Sequence, residues 1–219
     1  MIEWLKKQPA VVRLWSTRRL HLFAIAREDA PAPSVDLRFQ RNHWPDLEAF
    51  EQTERWLTRS AFLASARARL DEGEDVYTLV EGGRLVCFGW LKRDCREGRY
   101  SYVDQLVSFP SGSAVIYNGW VHPAARGRRL HQAAQLCRIA ATFADPNGRY
   151  VFSAVEDANA AAYKSAARAG LRPQAVLETR TRFGRKRKSV DRMPDAYPFD
   201  VQMNEADTPM PTNVQEARA

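Results

Sequence analysis

Hydrophobic and polar positions change their spacing along the first third of the chain, from helical to alternating and back. An apolar side repeated at helical spacing predicts a short helix over residues 2–14. Residues 18–26 are predicted to form a first strand, and residues 35–40 alternate between apolar and polar, which predicts a second. Residues 43–73 return to helical spacing, and a slip of the period near Ser60 predicts a break in that helix.

The middle of the chain is predicted to be mainly extended. Two apolar runs flank the turn sequence Glu-Gly-Gly, which predicts a β-hairpin over 75–93. Residues 99–109 alternate as a third strand, and SAVIYNGWV at 113–121 is rich in β-formers. Apolar side chains at helical spacing then predict a helix over 127–144.

A strand, a helix and a strand are predicted next. The strands cover residues 149–156 and 174–182, and the basic run RKRK follows at 185–188. Asn159 is a good N-cap for the helix between them, and Gly170 is a good residue just past its end.

This order of elements predicts an α/β (α+β) fold with a mixed, mostly antiparallel central sheet flanked by helices. One parallel strand pair is expected across the helix 127–144. We divide the chain into an N-terminal extension over 1–34, a helix and a strand packed on the domain, and a domain over 35–190. Residues 191–219 are acidic and poor in apolar residues, which predicts a largely disordered tail.

Composition favours a globular protein, with 45% hydrophobic and 27% charged residues. No apolar run approaches the roughly 20 residues that span a bilayer, and the N-terminus lacks the pattern of a signal peptide. Three cysteines without metal-like spacing fit a reducing compartment, and Cys87 and Cys137 are expected in the core. We therefore expect a cytoplasmic protein with no metal site and no membrane partner.

Positive charge is concentrated in the body of the chain. The net charge is +7, and because residues 191–219 carry −4, residues 1–190 carry +11. A basic body favours anionic ligands, either nucleotide phosphates or nucleic acid. Nucleic acid is the less favoured partner, since no helix-turn-helix or aromatic RNA-binding signature is present. The RKRK run is interpreted as a solvated strand end or a contact for an acidic ligand.

The stretch GWVHPAARGRRLH, residues 119–131, carries the strongest chemical signal. A strand leads through a basic, glycine-containing loop into a helix, whose first amides lack intrahelical partners and carry partial positive charge. Arg126, Arg128 and Arg129 add full charges at the same place. The pattern predicts a site for a phosphorylated ligand, while a merely solvated helix start is the alternative.

Residues 115–171 resemble the cofactor-binding half of the GNAT superfamily, the acyl-CoA-dependent N-acyltransferases. That family has a strand ending in Val-x-Pro, here Val121-His122-Pro123, and a loop Gln/Arg-x-x-Gly-x-Gly/Ala before a helix, here from Arg126 to His131. A later Asn and a Gly-Phe pair correspond to Asn159 and Gly170-Leu171.

The resemblance implies a GNAT-like sheet with a splayed strand pair at the cofactor site, and acetyl-CoA (coenzyme A) as co-substrate without a metal. The loop and helix start would hold the pyrophosphate, and free backbone groups of the preceding strand would bond the pantetheine arm. The cofactor-binding residues that it implies are Trp120, Val121, His122, Arg126, Gly127, Arg128, Arg129, Leu130, His131 and Asn159.

The implied reaction moves an acetyl (acyl) group to a primary amine of a small molecule or sugar, by direct attack in a ternary complex. The enzyme is expected to be a monomer or homodimer. The alternative is a catalytically impaired GNAT-like module that binds a CoA ester or nucleotide as a sensor or partner.

The sequence departs from the family pattern at the loop and at the acid. Arg129 and His131 stand where the family has small residues. We expect Arg129 on a helix-like backbone with its guanidinium on a phosphate oxygen, and His131 pointing outward. The tyrosine that protonates the leaving thiolate in the family falls at Ala166, so Tyr163, one turn earlier, is the candidate acid.

The proton acceptor is also displaced. Many family members carry a carboxylate three or four residues before the Val of Val-x-Pro, where this chain has Asn118 and Tyr117. An alkyl ammonium must lose a proton before it can attack. Asp104, Glu156 and His122 are candidate bases, and a water relay without a dedicated base is equally open.

Overall fold

A computed structural model describes residues 15–31, 38–55 and 57–202. Its helices are α1 (Trp44–Glu48), α2 (Arg59–Asp71), α3 (Leu130–Ala144) and α4 (Ala160–Arg168). Its strands are β1 (Trp15–Ala26), β2 (Gln40–Arg41), β3 (Asp75–Glu81), β4 (Arg84–Lys92), β5 (Glu97–Tyr100), β6 (Gln105–Ser108), β7 (Ser113–Val121), β8 (Tyr150–Glu156), β9 (Arg172–Arg182), β10 (Arg185–Arg192) and β11 (Asp200–Gln202).

The large sheet confirms the predicted mixed, mostly antiparallel architecture. Its eight strands run in the order β10-β9-β1-β8-β7-β4-β3-β2, and β11-β6-β5 form a separate small sheet. Neighbouring strands are antiparallel except β7 and β8, which are parallel because α3 carries the chain across between them. The predicted parallel pair is therefore present.

The parallel pair splays apart, as expected for the cofactor site. Ladder pairing between β7 and β8 ends at Val115 and Phe152, so the rest of β7 faces an opening instead of a strand. We call this gap the β7–β8 opening. On its other edge, β7 bulges against β4, and Asn118 has a positive φ of 45° there. A bulge bends its strand, which accounts for the divergence from β8.

The helices α3 and α4 cover one face of the large sheet, and the small sheet covers part of the other. Phe23 and Ile25 of β1 pack in the cluster beneath α3 and α4, while the alternate residues Leu22 and Ala24 pack against the small sheet. α1 and α2 cover β3, β4 and the end of β7 on that second face. Alternation along each strand thus separates a helical layer from a layer that is part helix and part small sheet.

The strand predicted over 18–26 is present as β1, but it is not an extension packed on a domain. β1 lies between β9 and β8 in the middle of the sheet, paired with both. Residues 22–26 are apolar without interruption and fully buried, as a strand covered on both faces must be. The predicted helix over 2–14 lies outside the described residues.

Two predicted elements of the first half divide further. The helix over 43–73 divides into α1 and α2, and the break lies between Glu48 and Arg59, before the expected position near Ser60. Thr58 caps α2 by accepting a hydrogen bond from the Ala61 amide at 3.2 Å. The strand over 99–109 is two strands, β5 and β6, joined by a turn in which Asp104 has a φ of 51°. Aspartate tolerates this left-handed conformation, so the turn interrupts an otherwise continuous alternating pattern.

The C-terminal half largely follows the prediction, with one correction. Asn159 caps α4 through a 2.9 Å hydrogen bond from the Ala162 amide, and RKRK forms the start of β10. The tail predicted to be largely disordered contains the end of β10 and all of β11. Phe199 is buried against the small sheet, which explains the order in this segment, and 203–219 lie outside the described residues.

Two further findings concern the described residues as a whole. Cys87, Cys95 and Cys137 are buried, so the expectation that Cys87 and Cys137 belong to the core is confirmed. None of the described helices is long and apolar enough to cross a membrane.

Candidate functional site

The loop after β7 delivers an open helix end. A short 3-10 turn (Pro123–Ala125) leads to Gly127, whose φ of 81° and empty surroundings suit a backbone that must approach a ligand. The first amide of this helix to find a partner is that of Ala133, which donates to the Arg129 carbonyl at 3.1 Å. The preceding three amides make no hydrogen bond within the described chain, so the positive end of α3 is available to an anion.

The three loop arginines are not equivalent. Arg128 makes two hydrogen bonds to the Glu81 carboxylate, at 2.7 and 2.9 Å, and Arg126 lies 3.5 Å from Glu54. Arg129 makes no ion pair with any described residue. Arg129 is therefore the uncompensated cation at the helix end, whereas the pairs of the other two are surface pairs that a phosphate can replace.

The backbone of Arg129 differs from the expectation. As N-cap of α3 it has a φ of 60° and a ψ of 20°, which is left-handed and not helix-like. This conformation costs a residue with a Cβ about 1 kcal/mol relative to glycine. This cost explains why the GNAT pattern has a glycine at this position. Arg129 carries the backbone cost but adds a positive charge at the start of α3.

His131 points inward and not outward as expected. Its ring lies against Gly119 of β7, where a Cβ atom would come within 2.5 Å of Nε2. Ser165 of α4 donates its proton to Gln135, so His131 Nδ1 donates to the Ser165 hydroxyl at 2.9 Å and Nε2 is left as an acceptor. Burial, reinforced by the charge of Arg138, lowers the pKa of His131 to about 4. A neutral imidazole therefore lies at the β7–β8 opening.

Main-chain groups of β7 reach the opening at alternate residues. The His122 amide donates to the Val86 carbonyl of β4 at 2.9 Å, so alternation turns the main-chain groups of Val121 towards the opening and those of Trp120 towards β4. Of the three residues expected to bond the pantetheine arm, only Val121 presents its main chain there. The Trp120 indole stacks on Phe88 in the core.

His122 stabilises the loop. Its Nδ1 accepts a 3.1 Å hydrogen bond from the Ala124 amide, so Nε2 carries the proton in the neutral ring. This buried Nε2 has no hydrogen-bond partner, and the nearest carboxylate, that of Glu51, is 3.9 Å away. This geometry suits a residue that stabilises the turn. It does not suit the role of proton acceptor predicted for His122, because Nδ1 is already occupied and Nε2 carries a proton.

The candidate acid Tyr163 lies away from the opening. Its ring packs edge-on against His21 and Phe23 of β1, the strand on the far side of β8 from β7. Ser165 of α4 bonds His131 of α3, and Ala166 is fully buried. The structure therefore does not bring Tyr163 together with the loop.

The structure places the two carboxylates predicted as bases, Asp104 and Glu156, in different parts of the molecule. Asp104 contacts Arg99, Lys186 and Lys188. Burial opposes ionisation of Asp104, but the hydrogen bonds and charges of the two lysines outweigh it and lower the pKa of its carboxyl. Both lysines belong to β10, far along the sheet from β7, so Asp104 is remote from the loop. Glu156 ends β8 and, by alternation from Val155, faces the side opposite α3 and α4, where it makes no ion pair with described residues.

A buried carboxylate that the sequence did not suggest is hydrogen-bonded to a side chain of β7. Tyr117 of β7 donates its hydroxyl hydrogen bond to Glu74, a buried residue that precedes β3 and also contacts Lys92 at 3.3 Å. Burial and then the hydrogen bond to Glu74 raise the pKa of Tyr117, so the phenol stays protonated. Val115 packs with the small sheet and Tyr117 with α1 and α2, so Tyr117 lies where the two coverings meet.

A fully buried arginine occupies the bulge. Arg138 of α3 donates to the carbonyls of Trp90 at 3.0 Å and Tyr117 at 3.3 Å, and its guanidinium fills the space beside Gly89. Burial lowers its pKa to about 10, and no carboxylate pairs with it within the described chain. Arg138 satisfies carbonyls at the point where β7 leaves a regular ladder.

Solved structures with the same architecture identify the fold. An acetyltransferase assigned to the GNAT family from Novosphingobium aromaticivorans superposes with a TM-score of 0.50 at 16% identity, covering 75% of this chain and 64% of its own. A GNAT-family acetyltransferase from Colwellia psychrerythraea gives 0.50 at 16% identity, covering 73% and 53%. A GCN5-related glucosamine N-acetyltransferase region of a fungal multi-domain β-N-acetylglucosaminidase gives 0.51 at 14% identity, covering 75% and 21%.

The chain has the GNAT acetyltransferase fold. The resemblance inferred from the loop is thus confirmed at the level of the fold. No protein-family model and no curated protein matches the sequence. The chain spans about two thirds of the first of these structures and about half of the second.

Within the GNAT fold, the residues present fit a coenzyme A thioester. The three unpartnered amides of α3, the open space at Gly127 and the unpaired Arg129 fit a pyrophosphate. The unladdered edge of β7 fits an extended arm that hydrogen-bonds like a strand, and Asn159 lies at the start of α4. Among the described residues, no three His, Cys, Asp or Glu side chains converge to hold a metal ion.

Proposed function

We propose that the protein transfers an acyl group, acetyl in the simplest case, from coenzyme A to a primary amine of a small molecule or sugar. The observation that carries the proposal is the β7–β8 opening, with the unpartnered amides of α3 and the free charge of Arg129 at its mouth. Bound coenzyme A supplies the activated acyl group as a thioester. The chain's own residues hold it, exclude water and handle a proton.

Binding is assigned to backbone and cation together. Amides at the start of α3, with Gly127 and Arg129, hold the pyrophosphate, and Val121 offers main-chain groups to the arm. Arg126 and Arg128 exchange Glu54 and Glu81 for phosphate oxygens when the ligand arrives, because exposed pairs hold each other weakly.

Proton removal is assigned to Tyr117 and Glu74. Tyr117 accepts a proton from the acceptor ammonium on its hydroxyl oxygen while it passes its own proton to the Glu74 carboxylate. Because the pKa of Tyr117 is raised, the phenol acts as a relay and Glu74 as the final acceptor. Glu156, on the same face at the end of β8, is the second candidate and is distinguished by substitution.

Calorimetry with acetyl-CoA tests binding. Wild-type protein should bind, Arg129→Ala should weaken binding about tenfold by removing one charge-assisted contact, and Lys164→Ala, a matched charge removal on α4, should not. Absence of binding by the wild type would refute the proposal.

Thiol release from acetyl-CoA with a panel of amines, including glucosamine, tests transfer. The alternative function is a module that binds a CoA ester or nucleotide without chemistry. The neutral His131 ring beside Gly119 favours it, because this ring narrows the opening. Amine-dependent thiol release would exclude that alternative, and tight binding with no release across the panel would support it.

A further inference from the structure

The outer end of β1 and of the β9–β10 hairpin exposes two aromatic rings in contact. Trp15 is 49% and Phe183 77% exposed, with ring centroids 5.8 Å apart. Register pairs Trp15 with Arg182, so both rings lie at one edge of the large sheet. We call Trp15, Phe183 and the flanking residues Arg182, Arg185 and Arg187 the aromatic tip.

Phe183 is unfavourable at its position for two reasons, its backbone conformation and its exposure. It forms the two-residue turn between β9 and β10 with Gly184, and their φ angles are 50° and 76°. Such a turn needs two left-handed residues and is usually Asn-Gly. A bulky side chain is an outlier in that conformation, and an exposed phenyl ring adds nothing to the core. A strained residue of this kind points to a contact outside the chain.

Cations surround the two rings. Residues 180–188 contain six arginines and lysines and no acidic residue. Lys186 and Lys188 contact Asp104, at 3.1 and 3.2 Å, but Arg185 and Arg187 make no ion pair within the described chain. The charge complementary to this surface is negative and extended, since the cations line both strands behind the turn.

We infer that the aromatic tip docks on a bilayer surface with anionic headgroups. Aromatic rings beside arginines match a membrane interface, where the rings enter the headgroup level and the cations meet the lipid phosphates. A single-stranded nucleic acid would instead need free ring faces for its bases. The Arg182 guanidinium already lies 4.8 Å from the centre of the Trp15 ring, and Phe183 meets that ring edge-on.

Docking at this edge would also orient the candidate site. β1 is antiparallel to β8, and the pair of Leu20 with Glu156 lies between the tip and the rest of the sheet. The aromatic tip therefore lies at the same end of the sheet as the C-terminal ends of the parallel strands β7 and β8, where α3 begins. If acyl transfer is correct, its amine acceptor is one carried at a membrane surface, and this extension alone rests on the proposed function.

Flotation of the full chain with vesicles at physiological salt tests the docking. The protein should float with vesicles that contain 30% phosphatidylglycerol and not with pure phosphatidylcholine. Phe183→Asn should reduce binding at least tenfold while the fold is kept, because Asn suits the left-handed turn. Arg185→Gln with Arg187→Gln should do the same, whereas the matched pair Lys164→Gln with Arg168→Gln on α4 should leave binding unchanged.

Three results would overturn the inference: no binding to the anionic vesicles, equal binding by Phe183→Asn, or preferential binding of a single-stranded RNA that removes the protein from vesicles. Thermal unfolding of each variant confirms that it folds. Acetyl-CoA calorimetry on the same variants separates the two proposals, since the aromatic tip should not affect that affinity.

Discussion

Acidification should weaken the fold through His131, whose neutral ring joins α3, α4 and β7. The ring donates to Ser165 and lies against Gly119, an arrangement with room for the imidazole but no counter-charge for an imidazolium. The folded state therefore binds this proton less readily than the unfolded chain. The contribution of His131 to the unfolding free energy is fully present at pH values above its unfolded pKa near 6.5. It is lost as the pH falls towards the pKa of His131 in the folded state.

The size of the effect follows from the shift. A pKa lowered from 6.5 to about 4 corresponds to at most about 3.5 kcal/mol of unfolding free energy, at about 1.4 kcal/mol for each unit. At pH 5 about 2 kcal/mol of this would be lost. Because the residue is only partly buried, solvent screening makes these values upper limits.

Urea unfolding at pH 7.5 and pH 5.0, followed by tryptophan fluorescence, measures the loss. His131→Gln keeps polar atoms near Ser165 and cannot be protonated, so its stability should fall less between the two pH values than that of the wild type. Gln132→Ala, which changes the next residue of α3 and removes no titratable group, is the control and should keep the wild-type pH dependence. An equal loss in wild type and His131→Gln would refute the reasoning.

Three further changes test the loop, the bulge and the relay. Arg129→Gly should raise stability by about 1 kcal/mol in thermal unfolding, since it relieves the left-handed arginine, and should weaken acetyl-CoA binding in calorimetry. Gly89→Ala should destabilise the protein in urea by about 1–3 kcal/mol, because a Cβ would lie 2.5 Å from Arg138, and a second change Arg138→Met should recover part of this loss. Glu74→Gln or Tyr117→Phe should lower kcat/KM for thiol release about a hundredfold with acetyl-CoA affinity unchanged, and an unaltered rate would exclude the relay.

The sequence predicted the type of most elements but not the place of every strand. α3, α4 and the β3–β4 hairpin were recognisable because their signals, helical spacing, caps and a Gly-Gly turn, are local. The position of β1 between β8 and β9 depends on pairing across more than 120 residues, which no local pattern encodes. β5 and β6 read as one strand because alternation continues through the turn at Asp104.

The candidate site divides in the same way. The anion loop could be found because its signal is contiguous, from strand to glycine to helix. Glu74 was missed because it is 43 residues from Tyr117 in the chain and follows the glycine that ends α2. Its signal was its place just before a strand whose first five residues are buried, where a carboxylate is rare without a partner. The position of Tyr163 was predicted wrongly because helical spacing shows which face of α4 carries the residue but not which strand that face covers, here β1.

Two glycines explain why the opening depends on polar groups of α3. Gly119 makes room for His131 and Gly89 for Arg138, and these two side chains are seven residues, or two turns, apart on the same face of the helix. One is kept neutral by burial, and the other is a cation that holds the carbonyls of Trp90 and Tyr117 at the bulge. A buried cation without a carboxylate partner is unfavourable unless hydrogen bonds to other groups offset its loss of hydration. Here they fix Tyr117, so the same arginine that forms the bulge also orients the phenol assigned to the proton relay.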